Sequence, residues 1–204
     1  MNAEQIRPKL YLIPGKEKML CRRHPWLFSG AFKRLVGTPM EGDLVDVVAT
    51  NGEWLAVGHY QNESIMVKVL SYDTPVVDEA FWKKRFMSAF SYRSRMGFFK
   101  NLAQSNAFRL VNGEGDNMPG LIVDIYAEVV VMQAHSEGMH RMFPLFTEII
   151  SNILKENFNI SVKAIYDKSF ATLKRSDATS QDAFIWGTPV NEYCYLEAGS
   201  KLFV

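Results

Sequence analysis

A chain of 204 residues with 48% hydrophobic and 22% charged side chains can bury one large core or two small ones, which argues against wholesale disorder. Its formal net charge of +1 excludes a uniformly basic or acidic body, so any polyanion-binding face has to come from local clustering. Two cysteines without CxxC spacing, and no apolar run of signal-peptide or membrane-spanning length, indicate neither a zinc site nor a disulfide framework, and point to a reducing cytoplasm and no membrane partner.

In chain order, residues 9–13 read as a short alternating strand closed by Pro14-Gly15, and residues 16–21 as one or two helical turns. Pro25 biases His24 toward an extended backbone, so a strand should begin near Phe28. Residues 43–49, 54–60 and 65–70 alternate as strands, with Asn51-Gly52 as a hairpin turn. Short strands and few helices predict a small β-barrel for this part. Asp73-Thr74-Pro75 marks a boundary. Asp78 is placed to cap a helix running to about Met96, with Trp82, Phe86, Ala89 and Phe90 as its apolar stripe. Lys83, Lys84, Arg85, Arg93 and Arg95 fall mostly off that stripe.

Strands are expected at 108–112, 121–126, 129–134 and 162–166. Residues 139–158 read as an amphipathic helix, with Pro144 in its first turns or delaying its start. Residues 168–182 are polar, a loop or weak helix, and 184–186 form a short strand. The second part is therefore expected to be α+β rather than alternating βαβ. At the C-terminus, residues 197–200 make a turn and 201–204 begin a strand that stops, which suggests a cut chain or a fragment.

Charge is clustered. Residues 1–34 carry eight Lys/Arg against two acids, and residues 80–113 carry seven with none. Such blocks suit a polyanion-binding face, although two solvated helix faces give the same count. Lys16, Lys18, Arg22, Arg23 and His24 lie beside Trp26 and Phe28, joining phosphate partners to flat rings that can stack on bases. A buried Trp26/Phe28 strand flanked by solvated cations is the competing reading. Lys83, Lys84, Arg93 and Arg95 are the candidates in the second block.

Residues 109–124, RLVNGEGDNMPGLIVD, concentrate Arg109, Glu114, Asp116, Pro119, Gly120 and Asp124. The carboxylates could share a cation, or could tie down a turn with Arg109 as an ion-pair partner. A dinucleotide fingerprint fails here, because Met118 occupies the third glycine position and the turn leads into a strand. Neither a Walker A sequence nor a GxSxG elbow is present, and the four histidines have no metal-ligand spacing.

Gly15-Lys16-Glu17-Lys18, then RRHPWLFSGA at 22–31, Glu41-Gly42-Asp43 and WLAVGHYQNESIMVKVL at 54–70, resemble the N-terminal PUA domain of a bacterial family. Its members are S-adenosylmethionine-dependent large-subunit rRNA 5-methylcytosine methyltransferases. FRLVNGEGDNMPGLIVDIY at 108–126, VVVMQAHSEG at 129–138 and AIYDKS at 164–169 resemble that family's central α+β domain. The likeness covers essentially the whole chain in the family's order.

It implies a PUA-like RNA-binding barrel over 1–73 and a central α+β linker domain over 76–188. It also implies, over 189–204, the start of a connection to a Rossmann methyltransferase domain that is itself absent. Cys21 and Cys194 do not sit in the family's catalytic motif, and residues 174–182 depart from its usual arginine followed by Glu-Gly. The resemblance implies ribosomal RNA as partner and S-adenosylmethionine for a full-length protein, with no cofactor and no catalytic residue in this chain. In that context residues 109–124 read as a hairpin corner, bent at Pro119-Gly120 and held by Glu114 and Asp116. Two other readings stand beside it: a metal-dependent hydrolase using Glu114, Asp116 and Asp124, and a stand-alone interaction module, homodimeric through its C-terminal strand.

Overall fold

The computed structural model describes residues 7–173, 181–188 and 194–203. The chain divides into two units, Met1–Val77 and Asp78–Val204.

The first unit holds β1 (Lys9–Leu12), α1 (Glu17–Cys21), β2 (Trp26–Phe28), β3 (Phe32–Val36), β4 (Leu44–Val48), β5 (Trp54–Tyr60) and β6 (Ile65–Ser71). They form one sheet in the order β2-β6-β5-β4-β1-β3. β2 and β3 are its opposite edges, yet only the 3-10 turn Ser29–Ala31 separates them in sequence. The sheet therefore has to curl until its edges approach. Alternation aims Leu10 and Leu12, Val45 and Val47, and Val67 and Val69 into one shared core. At Gly58 a Cβ would lie 2.4 Å from the Lys68 carbonyl oxygen, so the irregularity where β5 meets β6 tolerates no side chain. β3 escapes sequence pattern reading because four of its five residues are exposed.

The second unit begins with α2 (Glu79–Arg95), whose Asp78 side chain accepts from the Phe81 N–H at 2.8 Å, a side-chain N-cap. Then follow β7 (Ala107–Asn112), the 3-10 turn Gly113–Asp116, β8 (Leu121–Tyr126), β9 (Val129–Ala134), α3 (Glu137–Arg141), α4 (Phe143–Phe158), β10 (Ala164–Asp167), β11 (Ala183–Gly187), β12 (Cys194–Glu197) and β13 (Ser200–Phe203). The sheet order is β11-β10-β9-β8-β7.

Three expectations are corrected here. β9 and β10 pair in parallel with α3 and α4 between them, so this unit contains a βαβ crossover that the α+β reading excluded. A parallel pair requires such a connection, and sheet order is not visible in local periodicity. The single helix expected over 139–158 is two helices that meet at Met142. Pro144 cannot donate the backbone bond that a continuous helix needs, and it suits the first turn of α4 instead. Arg93 belongs to the buried stripe of α2 with Trp82, Phe86, Ala89 and Phe90, at helical spacing, rather than off it.

Edge-on aromatic contacts join α2 to α4, with Phe146 at 5.0 Å from Trp82 and 5.1 Å from Phe86 between ring centroids. The C-terminal residues form a hairpin, β12 with β13, where only a turn and a strand start are expected. Asn106 anchors it: its N–H donates to the Leu196 carbonyl at 2.9 Å, and its side-chain oxygen accepts from the Leu196 N–H at 2.7 Å. The expectations for the loop at 174–182 and for the connection starting at 189 fall largely on residues 174–180 and 189–193, outside the described residues.

Candidate nucleic-acid interface

In the first unit the basic arm is a short helix and the turn behind it. Lys16 stands at the start of α1, Lys18 within it and Arg22 at its end, all exposed. Among the described residues no ion pair ties these three. Arg23 is different. Its φ of +52° turns the chain back, and its guanidinium grips Asp73 at 2.7 and 3.1 Å. That hydrogen bond, then the charge of Asp73, holds the Arg23 pKa above its ordinary value. The His24 ring, exposed, uses Nδ1 to meet the backbone of Trp26, 2.9 Å from its carbonyl oxygen and 3.2 Å from its nitrogen. Trp26 is half-buried at the start of β2, opposite Lys68. The arm thus carries three exposed cations, followed along the chain by a backbone-held imidazole and a half-buried indole.

The second block divides. Lys83, Lys84 and Arg95 are exposed on α2. Arg93, grouped with them from sequence, is buried and bound on both arms of its guanidinium to Asp116, with Nη2 to Oδ2 at 2.7 Å. Its Nε donates to the Arg109 carbonyl at 3.1 Å. Asp116 also accepts the Asn112 N–H at 2.6 Å, so its carboxylate fastens the Gly113–Asp116 turn to the helix.

Arg109 and Asp124 face each other across β7 and β8 and meet at 2.8 and 3.1 Å. The hydrogen bond to Asp124 is the main reason the Arg109 pKa is raised. Glu114 is exposed on the turn, while Pro119 and Gly120 are buried, Gly120 with φ +85° where β8 begins. Met118, next to them in the chain, is fully buried. Two of the three carboxylates expected as a group, Asp116 and Asp124, have separate arginine partners. Among the described residues no group of three His, Cys, Asp or Glu could hold a metal ion.

Sequence reasoning missed a second polar cluster where β10 ends. His140 Nε2 lies 2.7 Å from Asp167 Oδ2, and the other carboxylate oxygen accepts the Ser169 N–H at 2.9 Å. Burial alone would raise the Asp167 pKa, but the bonds from His140 and Ser169 overcome it and hold the carboxyl below its ordinary value. A depressed folded-state pKa contributes stability that is present above the ordinary carboxylate range and lost as pH falls through the folded value. The urea midpoint of the wild-type chain should therefore drop on acidification below the usual aspartate range, and Asp167→Asn should flatten that dependence. An unchanged slope in the variant would refute the assignment. The two partners lie on different elements, so no local spacing announces them.

Comparison with known proteins adds the following. The model of a PUA-like domain matches residues 10–72. The first unit carries a PUA-like domain. Beyond it, the chain is 30% identical over 205 residues to the ribosomal RNA large subunit methyltransferase I of Klebsiella pneumoniae subsp. pneumoniae, covering 98% of this chain and 49% of the relative. It is 33% identical over 199 residues to the protein of the same name in Aeromonas salmonicida, covering 96% and 48%. The chain spans about half the length of the curated relatives it matches. A solved structure described as "A putative sam-dependent methyltransferase from Streptococcus mutans" superposes with a TM-score of 0.74 at 17% identity, covering 96% of this chain and 47% of that one. Another, described as "a putative methyltransferase complexed with SAH", gives 0.75 at the same identity and coverage.

These structures overturn the expected fold class, an α+β arrangement from which the methyltransferase architecture is missing. Nearly the whole chain shares its fold with chains described as methyltransferases. The Gly113–Asp116 turn is not the glycine-rich strand-to-helix loop of a dinucleotide fingerprint. The turn runs into β8 rather than into a helix, and Asp116 is committed to Arg93 and to Asn112. Among the described residues no helix is long and apolar enough to cross a membrane.

Proposed function

We propose that this chain is the RNA-engaging and substrate-positioning portion of an S-adenosylmethionine-dependent methyltransferase that modifies a cytosine of large-subunit ribosomal RNA. The observation that carries the reading is the exposed ridge of Lys16, Lys18 and Arg22 beside His24 and Trp26, on a PUA-like domain. The names of the relatives support the rRNA substrate, the structure complexed with SAH supports the cofactor class, and the sequence resemblance supports cytosine as the target. In this reading the first unit grips the RNA backbone, and the second helps present the target. The protein works in the cytoplasm, where ribosomal RNA is modified.

The test is binding of a large-subunit rRNA fragment across a salt series. Each phosphate neutralised releases counterions, so affinity should fall steeply between about 50 and 200 mM salt. Replacing Lys16, Lys18 and Arg22 together by alanine should weaken binding about tenfold or more and shallow the salt slope. Arg23→Ala should matter less, because that guanidinium already faces Asp73. Affinity that is flat with salt, or indifferent to the triple replacement, would remove the basis of the proposal.

A further inference from the structure

The second unit has a cleft of about 360 Å³ between the C-terminal half of α2 and the Gly113–Asp116 turn, lined by Ser88, Tyr92, Arg95, Asn112, Gly115 and Asn117 above the Arg93–Asp116 pair. Its volume lies at the small end of ligand sites, which run from roughly 300 to 1,000 Å³. Tyr92 is half exposed. One side of its ring is backed by the Arg93 guanidinium, 5.3 Å from the centroid. Arg93 is itself locked by Asp116 and the Arg109 carbonyl, so the phenol ring stands on a rigid cationic support. Gly115 adds no side chain to the cleft, and a Cβ there would have only the Asn112 amide nitrogen within 4 Å, at 3.8 Å. The Asn112 amide oxygen accepts from Arg109 Nη1 at 3.4 Å, which leaves its amide nitrogen as the group able to reach into the cleft.

The charge runs the same way. Lys84, Ser88, Tyr92 and Arg95 are spaced by four, four and three residues, so they form one stripe along the exposed side of α2. No acid interrupts residues 80–113. A flat ring, an amide able to bond the edge of a base, and cations placed along a track are the parts that recognise an unpaired nucleotide.

We infer that this cleft takes one unpaired nucleotide of the RNA, its base stacked on the free face of Tyr92, its edge bonded by Asn112 and its flanking phosphate held by Arg95. The site is too small for a duplex, and its rigid Arg93 support means that the stack needs little ordering on binding. The inference rests on the RNA-binding reading above and adds to it a second contact, in a different unit and of a different kind.

The experiment uses the full chain and a single-stranded RNA carrying 4-thiouridine, irradiated, with the adduct mapped by peptide mass. The adduct should fall on Tyr92. Tyr92→Ala should remove it and weaken binding at least about fivefold, the lower end for loss of one base–aromatic stack, while Tyr92→Phe keeps both. Arg95→Ala should reduce the slope of log affinity against log salt by about 0.7, one phosphate on a single strand. If the arm replacements weaken RNA binding but Tyr92→Ala and Arg95→Ala stay within about twofold of the parent and adducts lie elsewhere, this inference fails and the proposed function stands. Equal competition by a fully paired duplex overturns it as well. If the chain binds no RNA at low salt, both fall.

Discussion

Replacing Asp116 with alanine should destabilise the second unit by about 3–5 kcal/mol, because it strands a buried guanidinium. The Arg93 and Asp116 side chains are only 8% and 9% exposed. The carboxylate serves both arms of that guanidinium and the Asn112 N–H at once. Asp124→Ala is the control. Its partner Arg109 is 50% exposed, and breaking a solvated pair costs about 1 kcal/mol or less. Replacing Arg93 and Asp116 together by methionine and alanine should recover part of the loss, since no charge is then left unpaired. Urea midpoints of these three variants against the parent chain decide it. Equal losses for Asp116→Ala and Asp124→Ala would mean that burial does not govern the pair.

A loss of about 3–5 kcal/mol is also expected for Phe146→Ala. Phe146 is fully buried and stands edge-on to both Trp82 and Phe86. Truncation removes the transfer energy of the ring, leaves a cavity in packing that collapses only partly, and forfeits two aromatic contacts. Phe98→Ala removes the same ring from a site that is 42% exposed and should cost far less. Thermal unfolding followed through the near-ultraviolet signal of the tryptophans gives both values. A Phe146→Ala loss no larger than that of Phe98→Ala would show that α2 and α4 are held by something other than this contact.

Which parts of the fold were legible follows from where the information sits. β8 and β9 are written locally, since along their six residues buried positions alternate with part-buried ones. β3 is not, because an edge strand with almost every side chain in solvent has no alternation to read. The βαβ crossover depends on which strands are neighbours, and the relevant pairing joins Ala164 to Val129. The candidate site shows the same division. Exposure of Lys16, Lys18 and Arg22 follows from their place around a helix too short to bury much. Arg93 carries a legible signal, its position on the apolar stripe of α2, but its partner Asp116 comes from a turn 23 residues away. The pairing of His140 with Asp167, 27 residues apart, likewise appears only once the chain has crossed back to its own sheet.

The place of β1 in the first sheet has a kinetic consequence. β4, β5 and β6 follow one another as a meander with short turns, so their ladders can zip from local contacts. β1 comes first in the chain but lies between β3 and β4, with Lys9 opposite Asp46 in a parallel pair. During synthesis its apolar Leu10 and Leu12 emerge well before β4 exists to cover them. Pairing with β3 can shelter this strand early, but the parallel seam must wait for the meander. That seam joins the two local pieces, so its closure sets the pace at which the barrel forms.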